Sequence, residues 1–215
     1  MSLPPSIVRW LREVPSDRGV ALLLRHAERP PLDLSERDAS LPITPEGAAL
    51  AQTLGRVLGD RLRSLRTSPV TRCRETAEAL RAGAGAQCDV MPDRMLGDPG
   101  VYVADAEVAQ RTWITRGHEA VMTRLAGIDA APLPGLAEPI AAARRLVDHM
   151  LACLDEPGIH VFVTHDSLIT ATVARSLGRA LGKNDWPLYL EGAFFWRHPD
   201  GVAVAYRDIH PRPGQ

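Results

Sequence analysis

The stretch that most constrains the fold is Val20-Ala21-Leu22-Leu23-Leu24-Arg25-His26-Ala27-Glu28-Arg29. Five apolar residues in a row have the length of a strand, and the lack of alternation predicts burial on both faces. Strands of that kind belong to α/β sheets covered by helices on each side. The run stops at Arg25-His26, and in open α/β sheets ligands bind just beyond the carboxyl ends of the strands. A histidine flanked by arginines at that place suits chemistry on an anion. Taken alone, the same residues also fit a strand that surfaces and ends in charge.

The rest of the chain supplies a context for this strand. Ser6 to Glu13 predicts a short amphipathic leader helix, and Pro30 to Pro42 is a polar, proline-marked loop. Thr44-Pro45-Glu46-Gly47 is a helix start, with Thr as N-cap, Pro at the first helical position and Glu in the first turn. That helix is expected to reach about Leu62, with Leu50, Ala51, Leu54, Val57 and Leu58 on one face. A strand over Arg63 to Thr67, a helix over Val70 to Arg81 stopped by Gly83, and a strand over Gln87 to Met91 follow. Alternating strands and helices imply right-handed crossovers and a parallel sheet.

Residues 94–137 break the rhythm. Gly97-Asp98-Pro99-Gly100 is a turn, Asp105 to Leu125 is mostly helical, and Pro132, Pro134 and Gly135 close the segment. This strandless stretch is expected to be a cap-like insertion. A helix over Glu138 to Leu154 and a buried strand over Ile159 to Thr164, ending in His165-Asp166, come next. A helix over Ser167 to Leu181 and a hairpin of Phe194 to Arg197 with Val202 to Tyr206 complete the pattern, before a frayed tail from Pro211. The expectation is one domain over residues 1–215, a three-layer α/β/α fold with a mostly parallel sheet and a helical insertion over the site.

Composition narrows the function classes. With 45% hydrophobic and 24% charged residues the chain is ordinary for a soluble globular protein. A formal net charge of −1 gives no overall field to recruit nucleic acid or an anionic membrane. The basic stretch from Arg61 to Arg74 has no interleaved aromatic, which also argues against nucleic acid. The three cysteines (Cys73, Cys88, Cys153) form no CxxC and suit a reducing compartment rather than structural zinc. The start has no basic n-region, and no segment approaches the roughly 18 uncharged apolar residues of a membrane span. A cytoplasmic location is the expectation.

Three strand ends carry a shared load. The first provides Arg25, His26 and Arg29; the second provides Ser68 and, in the first turn of the next helix, Arg72; the third provides His165 and Asp166. In a parallel sheet these ends share one edge, so two histidines and two or three arginines can converge. Arginine forks pair with phosphate oxygens, and helix N-termini add backbone donors. A neutral histidine can attack phosphorus while cations offset the charge on the equatorial oxygens. No metal or other cofactor is required.

Arg25-His26-Ala27-Glu28, the Thr44-Pro45-Glu46-Gly47 start, Ser68-Pro69-x-x-Arg72-x-x-x-Thr76-Ala77 and Thr164-His165 together resemble the histidine phosphatase superfamily. This group includes phosphoglycerate mutases, fructose bisphosphatases and acid phosphatases. The resemblance covers about residues 20 to 210 and implies a phosphoglycerate mutase-like fold. It implies His26 as the nucleophile that becomes phosphohistidine, and Arg25, Arg72 and His165 as the phosphate pocket. Two positions depart from the small branch of the family: Ala27 stands where Gly is usual, and Asp166 follows the second His. His165-Asp166 is similar to the acid phosphatase branch, where that Asp is the proton donor, and Arg25-His26-x-x-Arg29-x-Pro31 fits its opening, which makes Arg29 a third phosphate ligand.

A leaving alkoxide needs a proton. Asp166 is the preferred donor on this reading; Asp98, in Leu96-Gly97-Asp98, is the alternative, matching the position of the small-branch acid. The bland readings are a helix N-cap for Asp166, a turn residue for Asp98, and helix support for Ser68 and Thr76. Glu28 reads as a surface ion-pair partner of Arg29. Arg94, Tyr102, Arg111, Trp113, Arg116, His118 and Arg124 of the insertion are candidates for a substrate pocket, while His118, His149, His160, His198 and His210 have no partner by spacing. The expected activity is a metal-independent phosphomonoesterase, with a small phosphorylated substrate as partner and inorganic phosphate as product. The other readings are mutase-type phosphoryl transfer, a metal-dependent hydrolase using His26, His165-Asp166 and Asp185, and an inactive phosphoprotein-binding module.

Overall fold

Strand β1 (Gly19–Arg25) is buried along its whole interior and lies in the middle of a six-stranded sheet. The structure, a computed structural model, describes residues 2–31, 39–128 and 131–209. Most of the loop between Pro30 and Pro42, His210 and the tail from Pro211 lie outside the described residues. The other strands are β2 (Leu62–Thr67), β3 (Val90–Pro92), β4 (Gly158–Thr164), β5 (Gly192–His198) and β6 (Gly201–Tyr206). Their order in the sheet is β3-β2-β4-β1-β5-β6. The first four pair in parallel, and the β5–β6 hairpin joins the β1 side antiparallel.

The helices are α1 (Pro5–Glu13), α2 (Pro45–Leu58), α3 (Thr71–Ala84), α4 (Ala106–Arg116), α5 (His118–Ala126), α6 (Pro139–Ala152) and α7 (Asp166–Ser176). Side-chain alternation along β1 divides the core in two. Val20, Leu22 and Leu24 meet Leu54 and Leu58 of α2 and Leu80 of α3, while Ala21 and Leu23 meet Leu146 of α6 and Ile169 of α7. Helices therefore cover both faces, as a continuous apolar strand demands. Residues 94–137 join the second layer: Tyr102, Val121, Leu125 and Leu136 belong to the same buried cluster as Leu23 and Phe162.

Several boundaries differ from the sequence reading. Helix α2 stops at Leu58 because Gly59 takes a positive φ of 49°, so Leu62 begins β2 and Val57 is left 46% exposed. Gly83 does not end α3. It lies inside the helix, where a Cβ would come 2.0 Å from the Gln52 carbonyl of α2, and the stop is Gly85 at a φ of 64°. Gly117, at a φ of 77°, splits the expected single helix of the insertion into α4 and α5. Strand β3 has only three residues, and α7 ends at Ser176 rather than Leu181.

Candidate active site

Strands β2, β4 and β1 are parallel neighbours, so the residues after their carboxyl ends form one ledge. Backbone bonds hold it: His26 N–H donates to the Thr164 carbonyl (3.0 Å), Ser68 N–H to Val163 (2.9 Å) and Arg25 N–H to Glu191 (2.9 Å). The imidazoles of His26 and His165 stand edge to face with centroids 5.5 Å apart. Arg72, in the first turn of α3, brings Nη2 to 3.4 Å from His165 Nδ1. Arg25 pairs with Asp166 at 3.0 Å and donates to the Pro187 carbonyl at 2.7 Å.

The protonation of these groups follows from their partners. His26 is 3% exposed, and its Nδ1 lies 2.8 Å from the Ala27 carbonyl. A carbonyl only accepts, so Nδ1 carries the proton and Nε2 keeps its lone pair. Burial, then the neighbouring His165, Arg72 and Arg25, hold the His26 pKa well below its usual value, against the pull of the Ala27 carbonyl. His165 is depressed in the same way, by burial first and then by Arg72, Arg25 and Arg29, with Asp166 opposing. Because Arg72 can only donate, His165 Nδ1 accepts and Nε2 carries the proton, facing Ser68 Oγ at 3.3 Å. Burial disfavours a charged Asp166, but Arg25, His118, His165 and the Ser167 N–H outweigh it and keep the carboxyl below its usual range.

The local sequence explains how the ledge is kept rigid. Thr76 of α3 accepts the Ala27 N–H (2.9 Å) and donates to the Arg72 carbonyl (2.7 Å), tying the chain after His26 to the helix that carries Arg72. Ala27 is fully buried. Asp98, Leu190 and Arg207 are the positive-φ residues other than glycine among the described ones, so Ala27 needs no glycine backbone. Gly97 has a positive φ of 156°, and a Cβ there would come 2.3 Å from Ser68 Oγ and 3.0 Å from His165 Nε2. Asp98, next to it, is exposed, takes a φ of 55° and pairs with Arg94 at 3.3 Å.

The sequence-derived residues converge, with exceptions. His26, His165, Asp166, Arg25 and Arg72 meet directly, and Arg29 lies close enough for its charge to act on Arg72 and His165. Arg29 Nη1 donates to the Pro30 carbonyl (2.8 Å), and among the described residues it makes no ion pair with Glu28. Asp166 opens α7, its Oδ1 accepting the Ser167 N–H. Asp185 instead closes a turn, accepting the Gly182 N–H, and among the described residues no three His, Cys, Asp or Glu stand in a metal-holding group. Of the insertion, Tyr102 and Trp113 line a cavity beside His165, whereas Arg111 pairs with Glu107 and Arg124 donates to the Ala131 carbonyl.

The sequence reading offers His118 as a pocket candidate with no partner by spacing and does not single out Tyr189. His118, the first residue of α5, has its Nε2 3.7 Å from Asp166 and its ring between Trp113 and Trp186. Tyr189 lies 4.3 Å below the Arg25 guanidinium and 5.7 Å from the His26 ring. Neither stands near a recognisable motif in the chain; an aromatic pair within three residues, Trp186 and Tyr189, was the one available signal.

The family model described as histidine phosphatase superfamily (branch 1) matches residues 21–186. The chain belongs to the histidine phosphatase superfamily. Solved histidine phosphatase-like structures share the fold. A mycobacterial glucosyl-3-phosphoglycerate phosphatase complexed with VO3 is 20% identical with a TM-score of 0.57, covering 89% of this chain and 100% of that one. A phosphoserine phosphatase from Entamoeba histolytica complexed with 3-phosphoglyceric acid is 17% identical with a TM-score of 0.54, covering 90% and 94%. YhfR of Bacillus stearothermophilus is 19% identical with a TM-score of 0.57, covering 87% and 96%. No curated protein sequence matches the chain. Among the described residues, no helix of this histidine phosphatase is long and apolar enough to cross a membrane.

Proposed function

We propose that the protein is a metal-independent phosphomonoesterase that works through a phosphohistidine on His26. The observation that carries this reading is the state of His26: buried, neutral, and with Nδ1 tied to the Ala27 carbonyl so that Nε2 is the free nucleophile beside Arg72, Arg25 and His165. Arg25, Arg29 and Arg72 bind the phosphoryl oxygens, and the His165 Nε2–H donates a further hydrogen bond. In the first step His26 Nε2 bonds to phosphorus, the bond from phosphorus to the leaving oxygen breaks, and a carboxylic acid protonates that oxygen. In the second, water attacks phosphorus while the carboxylate takes its proton, the bond from His26 Nε2 to phosphorus breaks, and inorganic phosphate leaves.

The donor is taken to be Asp98 rather than Asp166, the preferred residue from sequence. Both carboxylates pair with an arginine, but the Asp98–Arg94 pair is exposed and easily parted. Asp98 lines the cavity next to His165 where a leaving group fits, while Asp166 is held as a carboxylate in a largely buried pair with Arg25 and serves to orient it. Residues 94–137 then form the wall of the leaving-group side within a single domain. The test is turnover of p-nitrophenyl phosphate with excess EDTA, with His26→Ala as the blank. Activity in EDTA that is lost in the variant is expected. Activity abolished by EDTA, or retained by His26→Ala, overturns the proposal.

A further inference from the structure

Arg25, the first cation of the phosphate ledge, is itself held from three sides. Nη2 faces Asp166 at 3.0 Å, Nη1 donates to the Pro187 carbonyl at 2.7 Å, and the guanidinium lies 4.3 Å from the centre of the Tyr189 ring. Nε is buried and has no hydrogen-bond partner among the described residues. A buried, unpaired N–H is disfavoured, so the side chain keeps this pose because its surroundings fix it. Two of the three holds come from residues 186–191, which belong to no helix or strand except the turn that ties Glu191 N–H to the Leu188 carbonyl (3.0 Å). Within that turn Leu190 has a φ of 56°, a conformation that non-glycine residues rarely take and that persists where neighbours enforce it.

The enforcing group is a largely buried ion pair. Glu191 is 4% exposed, and its Oε2 accepts Arg207 Nη2 (2.7 Å), Arg207 Nε (3.1 Å) and the Leu188 N–H (2.9 Å). Its Oε1 accepts the Ser6 hydroxyl of α1 at 2.7 Å. Arg207 Nη2 also donates to the Trp186 carbonyl at 2.7 Å. The pair therefore grips both ends of residues 186–191, and the Glu191 carbonyl accepts the Arg25 N–H. Resting on the phosphatase reading above, we infer that Glu191 and Arg207 are positioning residues: they hold residues 186–191 so that Pro187 and Tyr189 aim Arg25 at the phosphoryl oxygens. A pair that served to fasten α1 to the end of β6 would need the Ser6 bond, but neither the Leu188 nor the Trp186 bond.

The test is a double-mutant cycle on kcat/KM for p-nitrophenyl phosphate, with Arg207→Lys, Arg25→Lys and the two combined. Arg207→Lys keeps a charge opposite Glu191 but loses the fork that bonds Glu191 and the Trp186 carbonyl together. It is expected to lower kcat/KM about 10- to 100-fold, the scale of a misplacement of about 1 Å. In the Arg25→Lys background the same change is expected to cost no more than about twofold, because the group it positions is already gone. If Arg207→Lys does not fold, Glu191→Gln, which keeps the volume and an acceptor for Ser6, takes its place in the cycle. Equal losses in both backgrounds, no loss in either, or an Arg25→Lys variant as active as the wild type overturns the inference and leaves the phosphatase reading intact. If the wild-type protein hydrolyses no phosphomonoester, the phosphatase reading fails and takes the inference with it.

Discussion

His26 and His165 are kept neutral first by burial and then by the cations around them, and this has a thermodynamic consequence. Their folded pKa values lie below the unfolded value near 6.5, so below that pH the unfolded chain binds more protons. Stability is therefore fully present above about pH 6.5 and is lost as pH falls, by up to about 1.4 kcal/mol per pH unit for each histidine. Denaturant titrations between pH 7.5 and 5.5 should show this decline, and His165→Gln should flatten it. Arg72 faces the same histidine and the incoming phosphoryl group, so Arg72→Ala is expected to lower kcat by about 10²–10³-fold, the scale for losing one preorganised donor. Lysine should restore little of it, because a point charge lacks the paired fork. For the acid, Asp98→Asn should cut benzyl phosphate turnover far more than that of p-nitrophenyl phosphate, whose leaving group needs no proton. Asp166→Asn should slow both alike.

At the scale of elements, two glycines have different duties that a shared residue type conceals. Gly83 of α3 sits where a Cβ would overlap the Gln52 carbonyl, and a Cβ on Gly55 of α2 would likewise come 2.2 Å from the Leu80 carbonyl. The two helices are thus in backbone contact, so Gly83→Ala should lower stability by about 2 kcal/mol, the usual scale of overpacking. Gly97→Ala instead presses on Ser68 and His165, and the expected loss is in kcat/KM, with the phosphate ledge displaced. Thermal melts and steady-state rates on the two variants separate the effects. The first glycine shows why sequence reading misplaced the end of α3. A glycine near a helix end signals either a stop or a close crossing, and only the tertiary neighbour decides between them. The Thr44-Pro45 start was legible because capping is local: Thr44 Oγ1 accepts the Gly47 N–H at 3.0 Å.

For the whole molecule, the sheet and its two helical layers were legible in the apolar runs and the strand–helix rhythm, since burial on both faces leaves few other arrangements. The core of the site was legible too, as His26, Ser68 and His165 each follow a strand end and parallel topology aligns those ends. What remained hidden comes from loops and helix starts whose position depends on packing: His118 at Asp166, and the Trp186–Tyr189 stretch that covers Arg25. The 94–137 segment contributes Leu96, Tyr102, Val121 and Leu125 to the same buried cluster as the central strands. It is expected to unfold with them, so calorimetry should give one transition with equal calorimetric and van't Hoff enthalpies. A separate low-temperature transition would mark the insertion as a unit of its own.

The central claim is that phosphate passes through His26, and trapping the intermediate tests it most directly. The enzyme is mixed with ³²P-labelled substrate, quenched within the first turnover in alkaline denaturant, where phosphohistidine survives, and digested for mass spectrometry. The account predicts label on the peptide containing His26, none on His26→Ala, and loss of the label on acid treatment. Hydrolysis at full rate with no labelled protein, or label on another residue, would contradict it.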